Sequence, residues 1–161
     1  MKGLGTAAIA ALAAMALFYP QTAWAFAAVE GGFLAWLSQR ARRADAAALL
    51  AAAAEPLEPD EAELVQRYAF YFARPALARE CASMLAALGL ASLLLVPWLT
   101  YKTQWLPAIA IGACLFAIAW LSKLLAPAHS LSLTAAKGNR EALRLLSAYD
   151  GAFRKIAGRA L

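Results

Sequence analysis

Twenty-one consecutive residues between Glu80 and Lys102 carry no charge, and neither do the 20 between Lys102 and Lys123. The hydrocarbon core of a bilayer is about 30 Å thick, and a helix needs about 20 apolar residues to cross it. Two such runs joined by a short turn predict a membrane-spanning helical hairpin over residues 81–125. Composition agrees with that solvent. The chain is 63% hydrophobic and 16% charged, where a soluble domain carries about 25% charged residues.

The N-terminal segment, residues 1–37, is also apolar. Residues 3–29 contain no charge. Two readings compete for it. As a secretory signal, residues 1–25 divide into Met1-Lys2, an apolar stretch over Leu4–Phe18, and an Ala23-Trp24-Ala25 cleavage site. As a retained span, the segment continues through Phe33-Leu34-Ala35-Trp36-Leu37, interrupted by Glu30. One straight helix over 3–37 would be about 52 Å long, so the retained form requires a kink, placed at Pro20.

Charge asymmetry favours retention. Bases collect on the cytoplasmic side of spanning helices. Six Lys/Arg precede the hairpin in residues 38–80, seven follow it in 123–161, and Lys102 alone occupies its turn. Arg40, Arg42, Arg43, Arg67, Arg74, Arg79 and the C-terminal tail are therefore expected inside, and the turn outside. A cleaved signal would export residues 26–80 and invert the pattern. Retention places the N-terminus outside and stops at Arg40-Ala41-Arg42-Arg43. The expected fold is an all-α integral membrane protein with three transmembrane helices: a kinked first span, then the tight hairpin.

Residues 38–80 read as a cytoplasmic linker with a surface helix. Ala46–Ala54 favours helix, and Pro56 and Pro59 break it. Asp60 is placed as the next N-cap, with Glu61 and Glu63 in the first turn. Leu64, Tyr68 and Phe72 then share one face at four-residue steps, on a helix lying on the membrane surface or on protein. Arg74-Pro75 marks a bend. The second span is expected over Pro75–Val96, stopping near Pro97, and the third over Trp105–Leu125. Trp98, Tyr101 and Trp105 form an aromatic belt at the turn. Ala87, Gly89, Ala91, Ala108, Gly112, Ala113 and Ala117 allow close helix approach. Residues 126–161 carry a basic amphipathic helix, about Ala135–Ala160, whose apolar face runs through Ala142, Leu146, Tyr149, Phe153, Ile156 and Ala160.

Little in the chain speaks for catalysis. His129, the one histidine, has no acid or nucleophile near it in sequence and reads as a polar loop residue. Glu55, Glu58, Asp60, Glu61 and Glu63 lack the spacing of a calcium loop. No phosphate loop, nucleophile elbow or metal-ligand cluster is present. Cys81 and Cys114 fall about 15 Å apart along the hairpin, too far for a disulfide. Glu30 is the single acid within an apolar segment, and ionisable residues there are functional suspects. No catalytic, cofactor-binding or metal-binding residue is assigned, and no cofactor.

The expected function is that of a small non-enzymatic subunit of a bacterial inner (cytoplasmic) membrane, multi-pass, packing on a larger complex or on copies of itself. The alternatives are an oligomeric channel or transport element, or a signal-cleaved envelope or pilin-like component. The net charge of +5 concentrates in the tail, which points to anionic lipid headgroups rather than nucleic acid.

Overall fold

The computed structural model describes residues 4–51, 59–126 and 128. Every regular element among them is helical: α1 (Leu4–Phe18), a 3₁₀ turn (Pro20–Thr22), α2 (Ala23–Arg42), α3 (Ala46–Ala51), α4 (Pro59–Arg67), α5 (Ala69–Ala73), α6 (Pro75–Tyr101) and α7 (Trp105–Leu124). α6 and α7 are long and apolar enough to cross a membrane. The chain divides into two units, one of Met1–Ser38 with Glu80–Lys123, the other of Gln39–Arg79 with Leu124–Leu161.

In the first unit, α6 and α7 form the expected hairpin. Its turn is closed at the end of α6 by a Schellman motif. The Gln104 amide donates to the Leu99 carbonyl at 2.8 Å, and the Thr103 amide to Thr100 at 3.1 Å. Thr103 takes the left-handed conformation this requires, at φ 59°, where a β-branched residue is rare. Gly89 packs toward Ile118, which sets the antiparallel register.

Three contacts fix the course of the N-terminal segment within this unit. Gly5 lies against the end of the Met84 side chain. Leu17 accepts a hydrogen bond from the Trp98 indole at 3.1 Å. Glu30 meets Ser92 at 2.7 Å. From Gly5 to Leu17 the chain climbs alongside α6, while from Leu17 to Glu30 it comes back down. A single kinked helix would instead carry Glu30 about 20 Å beyond Leu17. The expected kinked first span is therefore corrected to a helical hairpin, α1–α2. Pro20 is the cause: it has no N–H to continue α1 and starts a 3₁₀ turn as its first residue.

Each limb turns a stripe inward at three- and four-residue steps, the seam of an antiparallel bundle. On α2 it is Ala23, Phe26, Glu30, Leu34 and Leu37. On α6 it runs through Cys81, Leu85, Leu88, Ser92, Leu95 and Leu99. On α7 it includes Ile111, Ile118 and Leu121, with Cys114 in the same register. Outward stand Leu90, Leu93, Leu94, Leu106, Ile109, Phe116 and Trp120, all exposed.

The second helix of the expected hairpin does not stop at Pro97; α6 continues to Tyr101. A proline removes one ladder bond, but the residues after it rejoin the ladder. The Lys102 amide bonds to Trp98, and the Thr100 hydroxyl donates back to the Val96 carbonyl at 2.8 Å. Of the residues expected to allow close approach, Ala108 is buried and Gly112 faces open space.

In the second unit, Asp45 caps α3, its Oδ1 accepting from the amides of Ala47 and Ala48 at 3.0 and 3.2 Å. α4 begins with Pro59 in its first turn, one residue before the expected cap at Asp60. The single surface helix expected through Leu64, Tyr68 and Phe72 is divided at Tyr68, where φ −118° and ψ 33° interrupt the helix. The break turns Phe70, Tyr71 and Phe72 into the core beside Leu49 and Val65. An exposed Arg67–Glu63 pair at 2.8 Å supports α4 by about 0.3–0.5 kcal/mol. The expected C-terminal amphipathic helix, the Pro56 break, Glu55, Glu58 and His129 lie outside the described residues.

Candidate functional site

The polar side chains of the first unit's interior come from three helices. Glu30 occupies the middle of the inward stripe of α2 and is completely buried. Ser92, equally buried, fills one inward position of α6 and donates its hydroxyl to Glu30 Oε1 at 2.7 Å. Cys114, partly buried on α7, places its free thiol beside the same carboxyl. Glu30 Oε2 is buried and makes no hydrogen bond.

The surroundings are otherwise apolar. Phe26 and Leu34 flank Glu30 a turn away on α2. Leu88 and Leu95 flank Ser92 on α6. Among the described residues Glu30 forms no ion pair. A buried polar group without a partner is costly in so dry a setting, and native structures rarely leave one. The half-satisfied carboxyl is thus the most conspicuous polar feature of the unit.

At the turn end, Trp98 and Tyr101 stack with centroids 6.0 Å apart. The Lys102 ammonium sits 4.8 Å from the Trp98 ring and 5.4 Å from the Tyr101 ring. Cation–π attraction holds the turn's single charge against two of the three aromatic residues expected to cluster there, Trp98 and Tyr101.

Glu30 was visible in the sequence as a lone acid, but neither its inward direction nor its partners were assigned. The signal for direction was available: Ala23, Phe26, Leu34 and Leu37 recur around it at helical spacing. Ser92 and Cys114 carry no such signal, because serine and cysteine are ordinary packing residues in apolar helices. Among the described residues, no group of three or more His, Cys, Asp or Glu could hold a metal ion. Glu63 is exposed and paired to Arg67, as befits a solvated helix. No protein-family model, curated protein or solved structure matches the chain.

Proposed function

We propose that the chain is a multi-pass membrane protein of the bacterial inner membrane that acts as a non-catalytic subunit, packing on a larger membrane complex or on copies of itself. The observation that carries it is the distribution of polarity in the first unit. Large apolar side chains face outward, and the buried polar ones, Glu30 and Ser92, face inward. In α6 and α7 just 33% and 28% of the apolar stretch is buried, whereas the core helix of a water-soluble protein buries most of its length. Water-soluble monomers rarely expose apolar surface on this scale.

The α1–α2 reversal changes the expected topology. Four limbs enter the membrane in place of three, α1 with its 15 residues reaching about 22 Å of its depth, and both hairpin tips lie toward the outside. The Arg40 and Arg42 end of α2, the Lys123 end of α7 and the start of α1 then lie inside, in keeping with the positive-inside rule. Retention of residues 1–25 is supported by the packing of α1: cleavage after Ala25 would remove the Leu17 carbonyl from Trp98 and leave Met84 uncovered.

Single cysteines on a Cys81→Ala/Cys114→Ala background test this topology. Leu4→Cys and Arg43→Cys should both be labelled from the cytoplasmic side, and Lys102→Cys from the outside. Labelling of Leu4→Cys from outside would restore one kinked span. Recovery in mild detergent should yield an assembly larger than one chain; a stable lone monomer would overturn the subunit role.

A further inference from the structure

We propose that the Glu30 carboxyl, held by Ser92 and flanked by Cys114, is a proton-binding site in the interior of the four-helix unit, carrying an exchangeable O–H at Oε2. This rests on the membrane reading above and adds a ligand, the proton, to it.

The geometry supports a neutral acid over an anion. A carboxylate accepts through both oxygens and draws donors to each. Here Ser92 serves Oε1, and apart from the Cys114 thiol beside the carboxyl, a weak donor, no donor approaches; Oε2 makes no hydrogen bond. A carboxylic acid needs fewer donors, since its second oxygen carries the proton. No charge faces the group to compensate an anion. α1 has no titratable residue from Leu4 to Phe18. On α2 the other titratable groups are Arg40 and Arg42, the nearer one ten positions on, about 15 Å along the helix. α6 presents Ser92; Tyr101 is nine positions from it, Cys81 eleven and Glu80 twelve. α7 presents Cys114, with Lys123 nine positions away. An unpaired carboxylate enclosed in this way would be strongly disfavoured. Release transfers the Oε2 proton to a water or a polar acceptor that enters the site. It leaves a carboxylate that the Ser92 hydroxyl continues to hold. Nothing is oxidised or reduced.

The full chain in its membrane is treated with dicyclohexylcarbodiimide, an apolar reagent that reacts with protonated carboxyls. The acid proton moves to a carbodiimide nitrogen while the carboxyl oxygen bonds the central carbon. Mass spectrometry should place the adduct on Glu30, and Glu30→Gln should abolish it. A water-soluble carbodiimide should modify exposed Glu63 and spare Glu30. Infrared spectra should contain a protonated-carboxyl C=O band that disappears in Glu30→Gln. In Ser92→Ala the band should move to higher frequency, because its oxygen loses the hydroxyl donor; a merely structural serine would leave it in place. Absence of both adduct and band, in a chain that resists alkaline carbonate extraction, overturns the proton site and leaves the membrane reading standing. A chain that carbonate releases overturns both.

Discussion

The indole N–H of Trp98 reaches across to α1 and donates to the Leu17 carbonyl at 3.1 Å. That carbonyl lies in the last turn of α1, where backbone acceptors lose their helical partners. The one interaction thus closes the end of α1 and ties the N-terminal hairpin to α6. Trp98→Phe keeps an aromatic ring of smaller size and deletes the donor. It should destabilise the protein by about 1 kcal/mol, measured by denaturant titration in mixed micelles.

Thr103 holds a left-handed backbone conformation at the tip of the α6–α7 hairpin. A side chain there costs about 1–2 kcal/mol, partly offset by the greater backbone freedom glycine loses on folding. Thr103→Gly should raise stability by about 1 kcal/mol in the same titration. An unchanged or lower midpoint would show that the threonine side chain stabilises the turn.

Glu30 and Ser92 should be energetically coupled. Either Ser92→Ala or Glu30→Leu alone removes one partner. A double-mutant cycle should return a coupling of about 1 kcal/mol, with the double variant less impaired than the sum of the singles. Strict additivity would mean that the hydrogen bond contributes nothing to stability.

Gly32 follows the buried acid on α2, and a Cβ added there meets nothing within 4 Å. Glycine within a helix is about 1 kcal/mol less favourable than alanine. Gly32→Ala should therefore stabilise the isolated chain by about that amount. A lower midpoint, or loss of the larger assembly, would reveal a neighbour pressed against this face.

Gly5 lies so close to Met84 that an added Cβ would stand 2.7 Å from its terminal methyl. Gly5→Ala should be tolerated, because the end of a methionine side chain is free to turn away. Gly5→Leu should loosen α1 from α6. Proteolysis of the purified protein in detergent should then cut within the N-terminal hairpin first.

The α6–α7 hairpin was legible because charge is absent over two bilayer-length runs and present between them. Its turn, the pairing of Trp98 with Tyr101 beside it and its third-helix boundary followed. α6 runs past Pro97 because a proline, the usual terminator, deletes one bond and the next residues can still join the ladder. The N-terminal hairpin was not legible. A proline that kinks a helix and one that reverses it leave the same mark in sequence, and only the contacts of Gly5, Leu17 and Glu30 distinguish them. The division at Tyr68 was hidden because Leu64, Tyr68 and Phe72 keep helical spacing even where the helix does not. For the buried site, the acid could be read and its direction was encoded, but its partners lie 62 and 84 positions away, beyond the reach of any local pattern.

The reversal at Pro20 also bears on how the chain would enter a bilayer. Each hairpin could be inserted as one piece, tip first. The segment passed through ahead of α1 and α2 is Tyr19 with the short 3₁₀ turn, which is uncharged, and ahead of α6 and α7 it is Lys102-Thr103-Gln104. In the proposed topology a single ammonium group is then the whole of the ionic cargo carried by the two tips.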